Sequence, residues 1–249
     1  LVAFESYGDF KPVGYFYAIV PFILLFGVSS WAVRLPSALA GVVIVFFIGR
    51  IAQELFPKQK DEKRKSWYSV LVQPDVLAMI ATTFSPWAIQ FSRGGWEGNL
   101  ATCFVTIGIY TGLLALKHLQ STSAKSNKVF MMYMLSVVFF VLSAYTYHST
   151  RFIGPALGLT IVIPLLMRVK KYWKEVAILG ITSVILMAPI LLASKDPSVT
   201  HRLQETSAFT TQDEINESNA LIQQYGSNRL AKIVFHRYWF YSRTFFINM

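Results

Sequence analysis

Arg93 and Glu97 lie four residues apart in the run FSRGGWEGN, between two apolar stretches each long enough to cross a bilayer. Further on, Tyr145, Tyr147, His148 and Arg151 crowd the run YTYHSTR, and near the start Asp9 and Lys11 flank Phe10 just before Pro12. These side chains suit one kind of chemistry. The planar fork of arginine matches phosphate oxygens two at a time, and cations stabilise the charge that grows on a departing phosphate. A carboxylate beside them can take a proton from an acceptor hydroxyl or hold a divalent metal. A substrate with a phosphate at headgroup depth and a long hydrocarbon tail fits such a set.

Each residue also has a plainer reading. Arg93 and Glu97, four apart on what reads as a helix start, could form a local ion pair. Glu97 would also be favoured there by the helix dipole. Arg34, before LPSALAG, could simply anchor a helix end among headgroups. Arg151 could mark a helix boundary, and His148 could be a hydrogen-bonded interfacial histidine. Asp9 and Lys11 stand evenly between a site and a loop. Glu5 carries no clear role.

The elements that must position these groups are membrane helices. The 249 residues are 54% hydrophobic and 14% charged, against about 25% charged in ordinary soluble domains, and the mean hydropathy is +0.45. The net charge of +10 would suggest nucleic acid in a soluble protein. Here the cations cluster in short loops between apolar runs, as topology determinants do, and nucleic acid is excluded as a partner. Cys103 is the single cysteine. It rules out a disulfide framework or a cysteine-based metal site, and it reads as filler between helices. No signal peptide is evident, and the chain reads as an internal fragment of a longer protein.

The apolar runs predict six crossings, at 35–56, 74–91, 97–117, 129–147, 152–168 and 175–194. Pro74 suits a helix start, Pro86 should break or bend the second span near its end, and Arg50 can snorkel to the headgroups. The loops between them alternate in charge. One set holds Lys58, Lys60, Lys63, Arg64 and Lys65, then Lys117, Lys125 and Lys128, then Arg168, Lys170, Lys171 and Lys174. The other holds only Lys11, Arg34, Arg93 and Arg151. The richer set is expected on the cytoplasmic side.

Residues 13–29 are apolar enough to cross, but a crossing there would invert every later loop. They are expected to form an interfacial or re-entrant helix on the external face, with Tyr15, Phe16, Tyr17 and Trp31 as belt residues. From Lys195 the composition turns polar, predicting an external loop. Over 229–249 cations alternate with aromatics, as in an amphipathic helix lying on the membrane surface or the approach to a further span. The span interiors hold only Ser and Thr as polar groups, such as Thr82, Thr106, Ser136, Thr160 and Thr182. That argues against a pump or coupled transporter, which needs ionisable groups at depth.

The runs GDFKPVGYFYAIVPFILLFG, WAVRLPSALAG, SPWAIQFSRGGWEGNLA and YTYHSTRFIGPAL occur in that order. Together they resemble the early region of the GT-C membrane glycosyltransferases of the PMT-like set, which includes protein O-mannosyltransferases and the aminoarabinose transferase of lipid A. The similarity covers roughly residues 6–164. It implies a polyprenyl-phosphate-linked sugar as donor, a glycan, lipid or protein as acceptor, and chemistry on the external side of the membrane. It also implies that the catalytic base, an acid in the first external loop, lies upstream of Leu1, so that this chain alone would be inactive. By the same resemblance Asp9 and Lys11 approach the donor phosphate or a metal, Glu97 stands where the family's second external loop carries an acid, and Arg151 stands where relatives place a phosphate-facing cation. With the residues read directly from the sequence added, Lys11, Arg93 and Arg151 would bind the donor phosphate, and Asp9, Glu97, Tyr147 and His148 would position the acceptor or a metal. A divalent metal on Asp9 and Glu97 is the one candidate cofactor. Phe10 departs from the family, some of whose members carry Glu there.

The expected fold is all-α, a polytopic transmembrane bundle of GT-C type with an external juxtamembrane helix. It divides into a loop remnant with that helix (1–34), a six-span module (35–194) and an external loop with an interfacial helix (195–249). The expected activity is a polyprenyl-phosphate-sugar-dependent glycosyltransferase in the plasma membrane, surrounded by membrane lipids. Two rivals remain, a transporter or flippase for a lipid-linked substrate and a non-catalytic membrane scaffold.

Overall fold

A computed structural model describes residues 3–6, 9–56, 70–120 and 126–193. The expectations for 195–249, and for the cation-rich loop at 58–65, lie outside the described residues. The architecture is a helical bundle. After a hairpin of β1 (Ala3–Ser6) and β2 (Asp9–Pro12) come α1 (Gly14–Phe26), α2 (Ser30–Leu55), α3 (Pro74–Thr83), α4 (Pro86–Arg93) and α5 (Glu97–Gln120). α6 (Ser126–Thr146), α7 (Thr150–Leu166) and α8 (Val169–Ala193) follow. The hairpin is antiparallel, pairing Phe4 with Lys11 and Ser6 with Asp9. Sequence reading had placed only loop there.

Four helices are long and apolar enough to cross a membrane: Ser30–Leu55, Glu97–Gln120, Asn127–Thr146 and Lys170–Leu192. The other two expected crossings, at 74–91 and 152–168, fall on shorter helices. The span predicted at 74–91 is two short helices, because Pro86 lacks an N–H and forces Ser85 into an extended conformation (φ −66°, ψ 122°). α3 ends at Thr83 and the chain restarts as α4. α7 has 17 residues, the lower limit of roughly 17–25 for a crossing helix. α1, with 13 residues, is about 20 Å long at ~1.5 Å per residue. It is too short to cross, in line with the expectation for 13–29.

α5 is the centre of the bundle. Half of its apolar window is buried, against 11% for the peripheral α8. Its glycines let neighbours approach, as small residues do at membrane helix interfaces. Gly108 lies beneath the Phe140 ring, and a Cβ on Gly112 would sit 2.7 Å from Ile161. Ser136 Oγ donates to the Gly108 carbonyl at 2.8 Å. One apolar cluster joins α5 to α6, α7 and α8 through Ala115, Tyr133, Phe140, Ile161, Leu165 and Leu179. A second joins α5 to α1 and α2 through Tyr15, Ile19, Ala40, Ile44, Leu100 and Cys103. Cys103 is buried, the packing role expected of it.

Candidate functional site

α2 and α5 meet at a polar joint. Asn99, in the first turn of α5, is buried, and its amide donates to the Ser37 carbonyl at 2.8 Å and to Ser37 Oγ at 3.2 Å. Ser37 Oγ donates in turn to the Phe91 carbonyl of α4 at 2.9 Å. Ser37 and Asn99 thus hold α4, and Arg93 at its end, against the N-terminal parts of α2 and α5. Buried polar groups at membrane depth need such partners.

α1 closes the same end. The Tyr15 hydroxyl donates to the Val33 carbonyl at 3.0 Å, and burial raises its pKa, so it remains the protonated donor. A Cβ on Gly14 would fall 2.6 Å from Thr146 Oγ1 and 2.9 Å from the Tyr145 carbonyl, so only glycine lets α1 start against the end of α6. Gly95 has φ +70°, and a Cβ there would sit 3.3 Å from Tyr15 Oη and 3.4 Å from Arg34 Cγ. Thr150 Oγ1 donates to the Ser143 carbonyl at 2.6 Å, which binds α7 to the end of α6. Tyr15 and Arg34 against Gly95, and Thr146 against Gly14, thus pack α1 between its neighbours at one end of the bundle.

Most of the predicted site residues lie on elements that end here. Glu97 is half-buried in the first turn of α5. Arg93 is exposed at the end of α4 and Lys11 is half-buried on β2, three residues before Gly14. Tyr147 is exposed and His148 half-buried in the link from α6 to α7. Arg151 is half-buried in the first turn of α7, where its Nε donates to the Ala144 carbonyl at 3.4 Å. Its Nη2 is buried with no hydrogen-bond partner. Asp9 pairs with Ser6 in the hairpin, and its side chain lies outside the described residues.

One expectation fails on geometry. Arg93 and Glu97 do not share a helix, since Gly94, Gly95 and Trp96 turn the chain between α4 and α5. No ion pair within 4 Å joins them among the described residues. The i,i+4 geometry needs an unbroken helix, and the left-handed Gly95 ends it.

No group of three His, Cys, Asp or Glu that could hold a metal occurs among the described residues. Sequence reading missed Ser37 and Asn99. They lie 62 residues apart and look like ordinary polar residues inside apolar runs.

The helix break leaves a cleft of about 180 Å³ between α2 and the α3–α4 pair, lined by Ala38, Gly41, Val45, Thr82, Ser92 and Asn99 among others. Thr82 and Thr83 turn their hydroxyls back to the Ala78 and Met79 carbonyls at 2.8 and 2.7 Å. Such back-bonding bends helices and satisfies the hydroxyls in an apolar setting.

The opposite end has a different character. Arg50 donates to the Tyr110 hydroxyl at 3.2 Å and to Gln53 at 2.8 Å. Lys117 pairs with Glu54 at 2.6 Å, and Arg168 Nη1 donates to the Leu119 carbonyl at 2.7 Å. The cation-rich and cation-poor loops of the sequence thus sort to opposite ends wherever they are described.

Compared with protein-family models, curated proteins and solved structures, the chain matches none.

Proposed function

We propose that this chain is part of a membrane glycosyltransferase. It would move a hexosyl or pentosyl unit from a polyprenyl-phosphate donor to an acceptor on the external or periplasmic side of the plasma membrane. The observation that carries the reading is Arg151, whose Nη2 is buried and unpartnered beside the end of α6. A buried donor left unmade costs about 1–3 kcal/mol. A phosphate oxygen would relieve that cost and is the acceptor a guanidinium fits best.

In this mechanism the acceptor oxygen attacks the anomeric carbon as the bond from that carbon to the phosphate oxygen breaks. The bonding pair leaves on the phosphate, where Arg151, Arg93 and Lys11 offset the developing charge. Glu97 and Asp9, with Tyr147 and His148, would orient the acceptor. The proton of the acceptor goes to a base, which by the family resemblance is an acid of the first external loop.

The test uses the intact protein and a panel of polyprenyl-phosphate sugars. Arg151→Ala is expected to abolish transfer, and Arg151→Lys to keep a small part of it. Near-normal turnover in the alanine variant would overturn the reading.

The α3–α4 break favours a second reading. Discontinuous helices beside a cleft line substrate paths in many transporters, which suits a transporter or flippase for a lipid-linked substrate. Movement of the lipid across proteoliposomes with no sugar transfer would select it.

A further inference from the structure

The link from α7 to α8 carries Arg168, Lys170, Lys171 and Lys174 within seven residues. All four side chains are exposed. Arg168 is held at the end of α5 by its bond to the Leu119 carbonyl. The backbone does not run straight into α8, because Tyr172 (φ −119°, ψ 30°) kinks the helix after its first turn. Lys171 Nζ lies 5.2 Å from the centre of the Tyr172 ring, and Lys174 Nζ lies 5.7 Å from that of Trp173. Met167 is 82% exposed and Trp173 60% exposed beside these cations.

The apolar span Lys170–Leu192 begins at this kink, so the turn meets the boundary between water and hydrocarbon. Among the described residues no ion pair within 4 Å takes up Lys170, Lys171 or Lys174, whereas Lys117 at the same end is offset by Glu54. A charge bias alone orients a protein in its membrane. Retaining a particular lipid takes more: cations in a fixed array with apolar side chains next to them. The kink and the two ring contacts supply the array, and Met167 and Trp173 supply the apolar flank.

We propose that this turn is a headgroup site for an anionic phospholipid of the adjoining leaflet. Lys170, Lys171 and Lys174 hold the phosphate, and Trp173 and Met167 lie along the first methylenes of the acyl chains. The site is separate from the proposed transfer chemistry and does not depend on it. Basic residues near an anionic membrane surface each strengthen binding about fivefold.

The experiment is native mass spectrometry of the protein released from nanodiscs of equal phosphatidylglycerol and phosphatidylcholine. The expected result is preferential retention of phosphatidylglycerol, falling on the order of a hundredfold in a Lys170→Gln, Lys171→Gln, Lys174→Gln triple variant. The matching triple lysine-to-arginine variant should keep it. Should the triple glutamine variant not be monodisperse, the three single variants carry the test at about fivefold each. Equal retention of both lipids by the wild type, or unchanged retention in the glutamine variants, overturns the proposal.

Discussion

Replacing Gly14 with alanine tests how the site end is closed. The new Cβ would meet Thr146 Cα at 2.8 Å and the Tyr145 carbonyl at 2.9 Å. Both are backbone atoms, so no side chain can swing away. Reaching the 3.4 Å of ordinary contact means opening the gap to Thr146 Cα by about 0.6 Å. That displacement must be taken by α1 as a whole, or by the end of α6. Overpacking of this kind costs about 1–3 kcal/mol. For a chain of this size that is a fall in melting temperature on the order of 5 °C. Gly98→Ala is the internal control, since nothing lies within 4 Å of its added Cβ. In the helical α5 it should be neutral, or stabilising by up to ~1 kcal/mol. The assay is thermal unfolding of both variants in one detergent. Equal melting temperatures for Gly14→Ala and the wild type would refute the close approach of α1 to α6.

The remaining predictions rest on other contacts. Asn99→Ala strips two hydrogen bonds from Ser37 in a buried setting and should cost about 1–3 kcal/mol. A double-mutant cycle with Ser37→Ala should then show coupling, and strict additivity would refute the joint. Lys117→Gln should change stability by less than about 1 kcal/mol, because the lysine side chain is 67% exposed and screened by water; urea titration checks this. Cysteines at Ser149 and Lys170, both exposed and at opposite ends, should label from opposite sides of the membrane. The buried Cys103 stays silent as background. Labelling of both from one side would overturn the sorting of charged loops.

Much of this architecture could be read from periodicity and punctuation. Long apolar runs announced α2, α5, α6 and α8, and Pro86 announced the break that splits α3 from α4. Charge bias, not hydropathy, kept α1 from being taken as a crossing. Other features were out of reach because they depend on contacts distant in sequence. The spacing of Arg93 and Glu97 suggested a helix-face pair, but spacing cannot reveal that Gly95 adopts φ +70°. The hairpin at the start lacks a strong alternation of polar and apolar residues. The Tyr145 hydroxyl finds the Leu186 carbonyl at 2.8 Å, 41 residues away. For the candidate site, sequence supplied the residue types, whereas the Ser37–Asn99 joint beneath them depends on tertiary packing.

α4 has only eight residues, far below the length at which an isolated helix persists in water. Its pitch and azimuth are therefore borrowed from α2, through the bond from Ser37 to the Phe91 carbonyl. α2 acts as a ruler for Arg93. A single residue inserted between Arg34 and Ser37 would swing Ser37 about 100° around the α2 axis and strand α4 without its template. Length changes in that short interval should consequently be far less tolerable than substitutions on its lipid-facing side.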